Sequence, residues 1–500
     1  MKTKFFRVLL AVLAGALAVP AFAPVGLFPL AFVSLACLVV LLERAGSFRA
    51  GFCIGLGWGL GAYCVGIAWL VIALWRYGDV SLPISVLIVF LFCTLLALFP
   101  APMCAAYARW RHGGTLRRAA FFGGLWAFAE WLRGTAMTGF PWLAIGYSQT
   151  PPSPVAGYFP FMGVYGVAGG VAFMAGLIGV CAAVRTARQW KLSAALIVAI
   201  CSVGWALSWI RWAEQDGSPL TVSLVQTNID QLHRWDPEHF NETLRISVDM
   251  VRAARGDLVV LPEAALPLPL DALPEGYVDT LSDIVSERGA SLITGVFTRK
   301  DGLFFNASVT LGAGAGQHYA KSHLVPFGEY PPPFFSWFYE VANIPMSMLS
   351  PSPANQPPFT LFGREIAMSI CYEDLFGAEL ISSLPRAGLM LNLSNLAWYG
   401  DSFAQPQHLQ IARARVLETA RPMLRSTNTG MTALILPDAS ISAMLPAFTR
   451  GILEVEVAAF KGLTPYVRWG NALALVLAGI GVAVGMMRRS KPCAGGRGAG

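Results

Sequence analysis

Hydrophobic positions along this chain fall into two regimes. Through the first 210 residues they run on in stretches of about 20 with few charges, long enough to cross roughly 30 Å of hydrocarbon as helix. The stretches lie near 5–23, 26–43, 51–75, 82–108, 119–138, 160–184 and 192–210, and an eighth, NALALVLAGIGVAVGMM, lies near 470–487. Over 215–465 the apolar runs shorten to strand length, most of the acidic residues gather, and no comparable span occurs. Strands are expected at 220–229, 257–264, 291–297, 304–311, 365–371, 388–395, 422–428, 432–437 and 451–457, and amphipathic helices at 238–254 and 406–420. That alternation predicts a two-layer α/β unit, doubled into a sandwich. The expected organisation is a seven-helix membrane domain over 1–214, an external α/β domain over 215–465, a last membrane helix over 466–488, and a basic, Gly-rich tail over 489–500.

Composition agrees with a polytopic membrane protein: 55% of residues are hydrophobic and 13% charged. The opening MKTKFFRVLLAVLAGALAVPAFAP imitates a secretory signal with an A-x-A site at Ala21-Phe22-Ala23. Pro24 follows that site directly and another apolar stretch begins at once, so the segment reads as a retained first helix.

Charge sets the expected orientation. Lys2, Lys4 and Arg7, then Arg44 and Arg49, then Arg109, Arg111, Arg117 and Arg118, then Arg185, Arg188 and Lys191, and finally Arg488, Arg489, Lys491 and Arg497 occupy alternate loops. The opposite loops hold little beyond Arg76 and Arg133. By the positive-inside rule both termini are cytoplasmic and 215–465 lies outside. The net charge of +7 then needs no nucleic-acid partner to account for it.

Orientation also sorts the nine cysteines. Cys37, Cys53, Cys64, Cys93, Cys104, Cys181 and Cys201 lie in or beside apolar spans, where cysteine acts as a small hydrophobe, and Cys493 is in the tail. Cys371 stands alone in the external domain, an unpaired thiol in an oxidising compartment.

Polar residues of special type recur where the expected strands end: Glu263 in VVLPEAALP, Lys321 and Glu329 in QHYAKSHLVPFGEY, and Cys371 in SICYEDLF. Their chemistry is complementary. A thiol of pKa about 8.5 needs a base or a cation to become nucleophilic near neutrality. Glu263 is the candidate base and Lys321 the candidate cation, for the thiolate and for an oxyanion on an attacked carbonyl. The Tyr372 backbone N–H is a second candidate oxyanion donor. Such a trio can perform acyl transfer without histidine. His318 and His323 flank Lys321 without an acidic or cysteine ligand cluster, so they are read as structural and no metal is expected. Walker, dinucleotide-binding, HExxH and CxxC patterns are absent, and no cofactor is expected.

The order Glu, Lys, Cys in the external domain resembles the nitrilase (carbon–nitrogen hydrolase) superfamily, which implies an αββα sandwich. The whole chain resembles the apolipoprotein N-acyltransferase family through GFPWLAIGYSQ (139–149), VQTNIDQLHRWD (225–236), LPEAALP (261–267), KSHLVPFGEY (321–330), SICYEDLF (369–376), RPMLRSTNTGMT (421–432) and TPYVRWGN (464–471). The resemblance implies Cys371 as nucleophile, Glu263 as general base and Lys321 as stabilising cation. It marks Glu329, Tyr372 and Glu373 as active-site support and Trp235 as a substrate-region residue. It departs at SNLAWYG (394–400), where the family usually reads SNDAWFG and Leu396 replaces the acidic residue.

The implied reaction takes an acyl chain from a membrane phospholipid, phosphatidylethanolamine, onto Cys371. It then passes that chain to the α-amino group of the S-diacylglyceryl cysteine of an apolipoprotein, with the enzyme working as a monomer. Water must be kept from such a thioester. The segment EYPPPFFSWFYEVANIPMSMLSP (329–351), with Phe334, Phe335, Trp337 and Phe338, is expected to form an apolar lid on the outer leaflet. Two other readings use the same residues: a membrane-tethered amidase acting on a small C–N substrate, and a non-enzymatic carrier or sensor.

Overall fold

The computed structural model describes residues 2–184, 186–234, 236–332 and 348–487. The apolar stretches form helices Lys2–Ala16, Pro29–Glu43, Phe48–Gly66, Leu82–Ala97 continued by Pro100–Trp110, Thr115–Thr135, Phe159–Val184 and Ala187–Leu207, with Ala472–Met486 near the C-terminus. Among the described residues, Lys4–Ala21, Phe48–Gly66, Leu82–Trp110, Ala156–Val184 and Ala187–Leu207 are long and apolar enough to cross a membrane, whereas Pro29–Glu43 and Ala472–Met486 are apolar but shorter. Thr115–Thr135 carries Arg117, Arg118, Glu130 and Arg133. The stretch expected to run unbroken to residue 75 stops at Gly66, and the chain resumes as a short helix, Leu70–Ile72, and a π-helical turn, Ala73–Tyr77.

Small residues let these helices touch. A Cβ on Gly61 would lie 1.9 Å from the carbonyl oxygen of Val12, so helices Lys2–Ala16 and Phe48–Gly66 meet backbone to backbone. At one end of the bundle Glu43 accepts from Tyr107 at 2.6 Å and Arg118 at 2.7 Å, and Arg111 reaches the carbonyls of Glu43 and Ala45. At the other end the α/β part sits.

Among the described residues, that part holds twelve strands: β1 (Ala213–Gln226), β2 (Leu258–Val260), β3 (Ser291–Lys300), β4 (Leu303–Gly312), β5 (His318–Ala320), β6 (Phe359–Leu361), β7 (Arg364–Ile370), β8 (Leu389–Ser394), β9 (Met423–Thr427), β10 (Ala433–Ile435), β11 (Ile441–Met444) and β12 (Gly451–Gly462). They make two six-stranded sheets, β12-β1-β2-β3-β4-β5 and β11-β10-β9-β8-β7-β6. β1, β2 and β3 run parallel, and so do β7, β8 and β9. β4 is antiparallel to β3 and β5 to β4, so β5 runs the same way as β3.

Side-chain alternation explains the layers. Leu220, Val222, Leu224, Leu258, Val260 and Ile293 of the first sheet pack in one buried core with Ile366, Met368, Ile370, Leu389, Leu391, Leu393 and Leu424 of the second. The intervening Val225, Val259, Leu261 and Leu292 face outward onto helices Phe240–Ala253 and Tyr277–Ser286. On the far side, Ala367, Met390, Met423 and Ala433 pack against Leu409, Ala412 and Val416 of helix Ala404–Thr419. The result is helix, sheet, sheet, helix.

The Ala404–Thr419 helix departs from the amphipathic expectation, because nearly all of it is buried. Its apolar face meets the sheet and its polar face meets the membrane helices. Gln407 accepts from Trp69 at 3.2 Å and Trp142 at 2.8 Å, Gln410 accepts from the Ala23 N–H at 3.0 Å, and Glu418 accepts from the Val164 N–H at 2.7 Å. Arg415 lies over the Tyr147 ring at 5.5 Å. The GFPWLAIGYSQ segment thus folds beneath the α/β part. Glu130 and Arg133 organise that segment: Glu130 accepts from the Ile145 N–H at 2.9 Å, while Arg133 donates to the carbonyls of Phe140 and, at 2.8 Å, of Trp142.

Gly163, left-handed at φ 61° inside Phe159–Val184, is a tight point of this junction, since a Cβ there would stand 2.3 Å from the Tyr466 ring. Gly163→Ala is therefore expected to destabilise the protein by about 1–3 kcal/mol, from strain and overpacking together. Thermal unfolding in detergent reads this as a lowered midpoint; an unchanged midpoint would mean the junction yields freely.

Candidate active site

Parallel strands within each sheet deliver their C-terminal ends to one edge, and the candidate residues stand there. Glu263 lies three residues beyond the end of β2, and Lys321 and Cys371 immediately follow β5 and β7. The two sheets meet at this edge: the Asn395 N–H, just past β8, donates to Glu263 Oε2 at 2.7 Å.

Lys321, 1% exposed, has Nζ 3.3 Å from Glu263 Oε1 and 3.0 Å from Glu329. Asn306 Nδ2 donates to Glu263 and to Glu329, each at 2.8 Å, so one amide bridges the two acids. Glu329 also receives the Val325 N–H at 2.7 Å. Burial by itself would pull the Lys321 ammonium down, but Glu329 and Glu263 outweigh it and hold the pKa well above the ordinary lysine value. Lys321 is a fixed cation.

Cys371 is partly buried and has φ 52°, a left-handed conformation that costs a non-glycine residue about 1–3 kcal/mol. The turn Cys371–Leu375 holds it there. Glu373 Oε2 accepts from the Ile370 N–H at 2.7 Å and from Tyr319 at 2.8 Å. Glu373 Oε1 accepts from the Ser322 N–H at 2.7 Å and the His323 N–H at 3.1 Å, the residues that follow Lys321. Glu373 thereby ties the Cys371 turn to the lysine loop. Burial and the Glu263 carboxylate push the Cys371 thiol well up, against the opposing pull of Lys321 and of the Asn395 N–H. The raised thiol thus favours its protonated form, with the Glu263 carboxylate among its electrostatic neighbours.

Other expected residues lie further out. The Tyr372 hydroxyl donates to the Gly139 carbonyl at 2.9 Å, so this side chain faces the membrane helices. His323 bonds Glu379 at 2.9 Å and the Thr138 carbonyl at 2.8 Å, and His318 bonds Thr298 at 3.2 Å. Leu396 is buried at 1% exposure, so the position that departs from the family pattern contributes packing. Trp235, Phe334, Phe335, Trp337 and Phe338 lie outside the described residues. The sequence reading overlooked Asn306 and Asn395; an asparagine inside the strand FFNASVTL was the one signal for the former.

Residues 14–177 match the model of the apolipoprotein N-acyltransferase N-terminal domain, and residues 221–461 match the carbon-nitrogen hydrolase model. An apolipoprotein N-acyltransferase of Nitrosomonas europaea is 39% identical over 481 residues, covering 95% of this chain and 96% of that protein. Those of Chromobacterium violaceum and Ralstonia nicotianae are 42% and 41% identical, covering 93% and 96% of this chain and 90% and 92% of their own. With both segments matched and near full-length identity at this level, the chain belongs to the apolipoprotein N-acyltransferase family.

Proposed function

We propose that this chain N-acylates apolipoproteins by a two-step exchange at Cys371, with a membrane phospholipid, phosphatidylethanolamine, as donor. The observation that carries the reading is the buried Lys321 held between Glu263 and Glu329 beside a protonated, conformationally strained Cys371. Glu263 takes the thiol proton as sulfur attacks the ester carbonyl, and Lys321 faces the oxyanion that develops. The ester C–O bond breaks, Glu263 returns the proton to the departing lysophospholipid, and a thioester remains. The α-amino group of the acceptor's diacylglyceryl cysteine, with a pKa of about 7.7–8.0, then attacks as free amine. Its surplus proton passes to Glu263, the C–S bond breaks, and the thiolate regains the proton. Thioester to amide runs downhill, so no nucleotide is required.

The same reading places the described helices as seven N-terminal crossings and one C-terminal crossing in a bacterial inner membrane. The arginine-rich end around Glu43 is then cytoplasmic and the sandwich periplasmic, in keeping with the positive-inside rule. The domain limits are 1–214, 215–465, 466–488 and 489–500, and the working unit is a monomer. A lipid donor suits a sandwich whose helix Ala404–Thr419 is bonded directly to the membrane helices, more than a freely diffusing amide does.

Incubating the purified protein with phosphatidylethanolamine and measuring intact mass is expected to show one fatty-acyl adduct, mapped to the Cys371 peptide and absent in Cys371→Ser. An adduct formed from short soluble amides and never from phospholipid would replace this reading with an amidase. Glu263→Gln is expected to slow adduct formation by about 10²–10⁴-fold.

Iodoacetamide labelling of Cys371 tests the electrostatics. Only the thiolate reacts, so a raised thiol pKa predicts labelling that climbs about tenfold per pH unit through the neutral range. Because the Glu263 charge raises that pKa, Glu263→Gln should move the profile to lower pH; because the Lys321 charge lowers it, Lys321→Met should move it to higher pH. Coincident profiles would disprove the coupling.

A further inference from the structure

The turn that carries Cys371 has two consecutive acids, and they face different neighbours. Glu373 ties it to the lysine loop, as described. Asp374, fully buried, points into the opposite side, where His408 and Arg425 meet it. His408 Nε2 lies 2.6 Å from Asp374 Oδ1, Arg425 Nη1 lies 2.9 Å from Asp374 Oδ2, and Arg425 Nη2 lies 3.1 Å from His408 Nδ1. The three side chains close a ring of hydrogen bonds, each at most 1% exposed.

Donor and acceptor chemistry fixes the protonation of that ring. A guanidinium only donates, so His408 Nδ1 must be a bare acceptor. The carboxylate only accepts, so Nε2 must carry the hydrogen. His408 is therefore the neutral Nε2–H tautomer, and burial, joined by the nearby Arg425 charge, lowers its pKa against the pull of Asp374, in the same sense. One negative and one positive charge remain, directly paired.

The ring also has a back wall from the GFPWLAIGYSQ segment, which follows helix Thr115–Thr135. The Trp142 ring stacks on His408 at 5.6 Å and 23°, and its indole N–H donates to Gln407 at 2.8 Å. We propose that Asp374, held by His408 and Arg425, is a positioning residue for the Cys371 nucleophile. It braces the left-handed turn against β9 and the membrane-docked helix, while Glu373 braces it against the Lys321 loop. Asp374 touches no reacting atom; it acts by keeping the sulfur aimed.

The inference rests on Cys371 as the acyl acceptor, and the test separates the two. In detergent-solubilised full-length protein, the rate of acyl-enzyme formation from phosphatidylethanolamine and its dependence on lipid concentration are measured by intact mass. In Asp374→Asn the amide turns a donor toward His408 or Arg425. The maximal acylation rate should fall by about 10–100-fold, with the half-saturating lipid concentration within twofold of wild type. His408→Leu should fall as far. His408→Gln, whose amide can donate to Asp374 and accept from Arg425, should stay within about threefold, and this pair decides the matter even where Asp374→Asn fails to fold. Equal rates in His408→Leu and His408→Gln, or an Asp374→Asn loss that appears wholly as weaker lipid saturation, would overturn the positioning role. Absence of any acyl adduct in wild type would overturn the Cys371 reading itself, and this inference with it.

Discussion

A single buried ammonium orders this site. Lys321 has almost no contact with solvent, and leaving such a charge without its partners would cost about 3–5 kcal/mol. Two carboxylates answer it, and two is the telling number. One would neutralise the charge and stop there. With the second, Lys321 is held from both sides, and Asn306 bonds both acids at once. Because Glu263 comes from one sheet and Cys371 from the other, the geometry of this pairing requires the two sheets to stack in one register. The fold and the chemistry share that requirement.

The thiol is tuned against casual reaction. A cysteine with a depressed pKa would be a standing thiolate, open to oxidation; here burial and the neighbouring acid raise the thiol pKa. The left-handed turn is held from both sides, by Glu373 bonded to the Ile370 N–H and by Asp374 bonded to Arg425.

Much of this was legible in the sequence because it depends on local pattern. Long apolar stretches located the apolar helices and period-two alternation located the principal strands, since each reflects a single element meeting its own solvent. The strand-end positions of Glu263, Lys321 and Cys371 were legible for the same reason. Strands β6 and β11 were not, being three or four residues long and defined by their neighbours. Helix Tyr277–Ser286 and the break after Gly66 escaped as well. Asn306, Asn395 and Asp374 act across elements far apart in the chain, and composition carries no trace of such partnerships. Helix Ala404–Thr419 was readable as a helix, but its glutamines looked like a solvated face until the tryptophans opposite them were in view.

That helix has a consequence for how the protein can be handled and how it could have arisen. Cut free of the bundle, the sandwich would present Glu418, Arg415 and Gln407 on a surface shaped for indole and phenol rings, with no water-adapted exterior beneath. The α/β half is thus no passenger on a membrane stalk. Any ancestral free-standing hydrolase would have had to repolish this flank side chain by side chain to become inseparable from lipid.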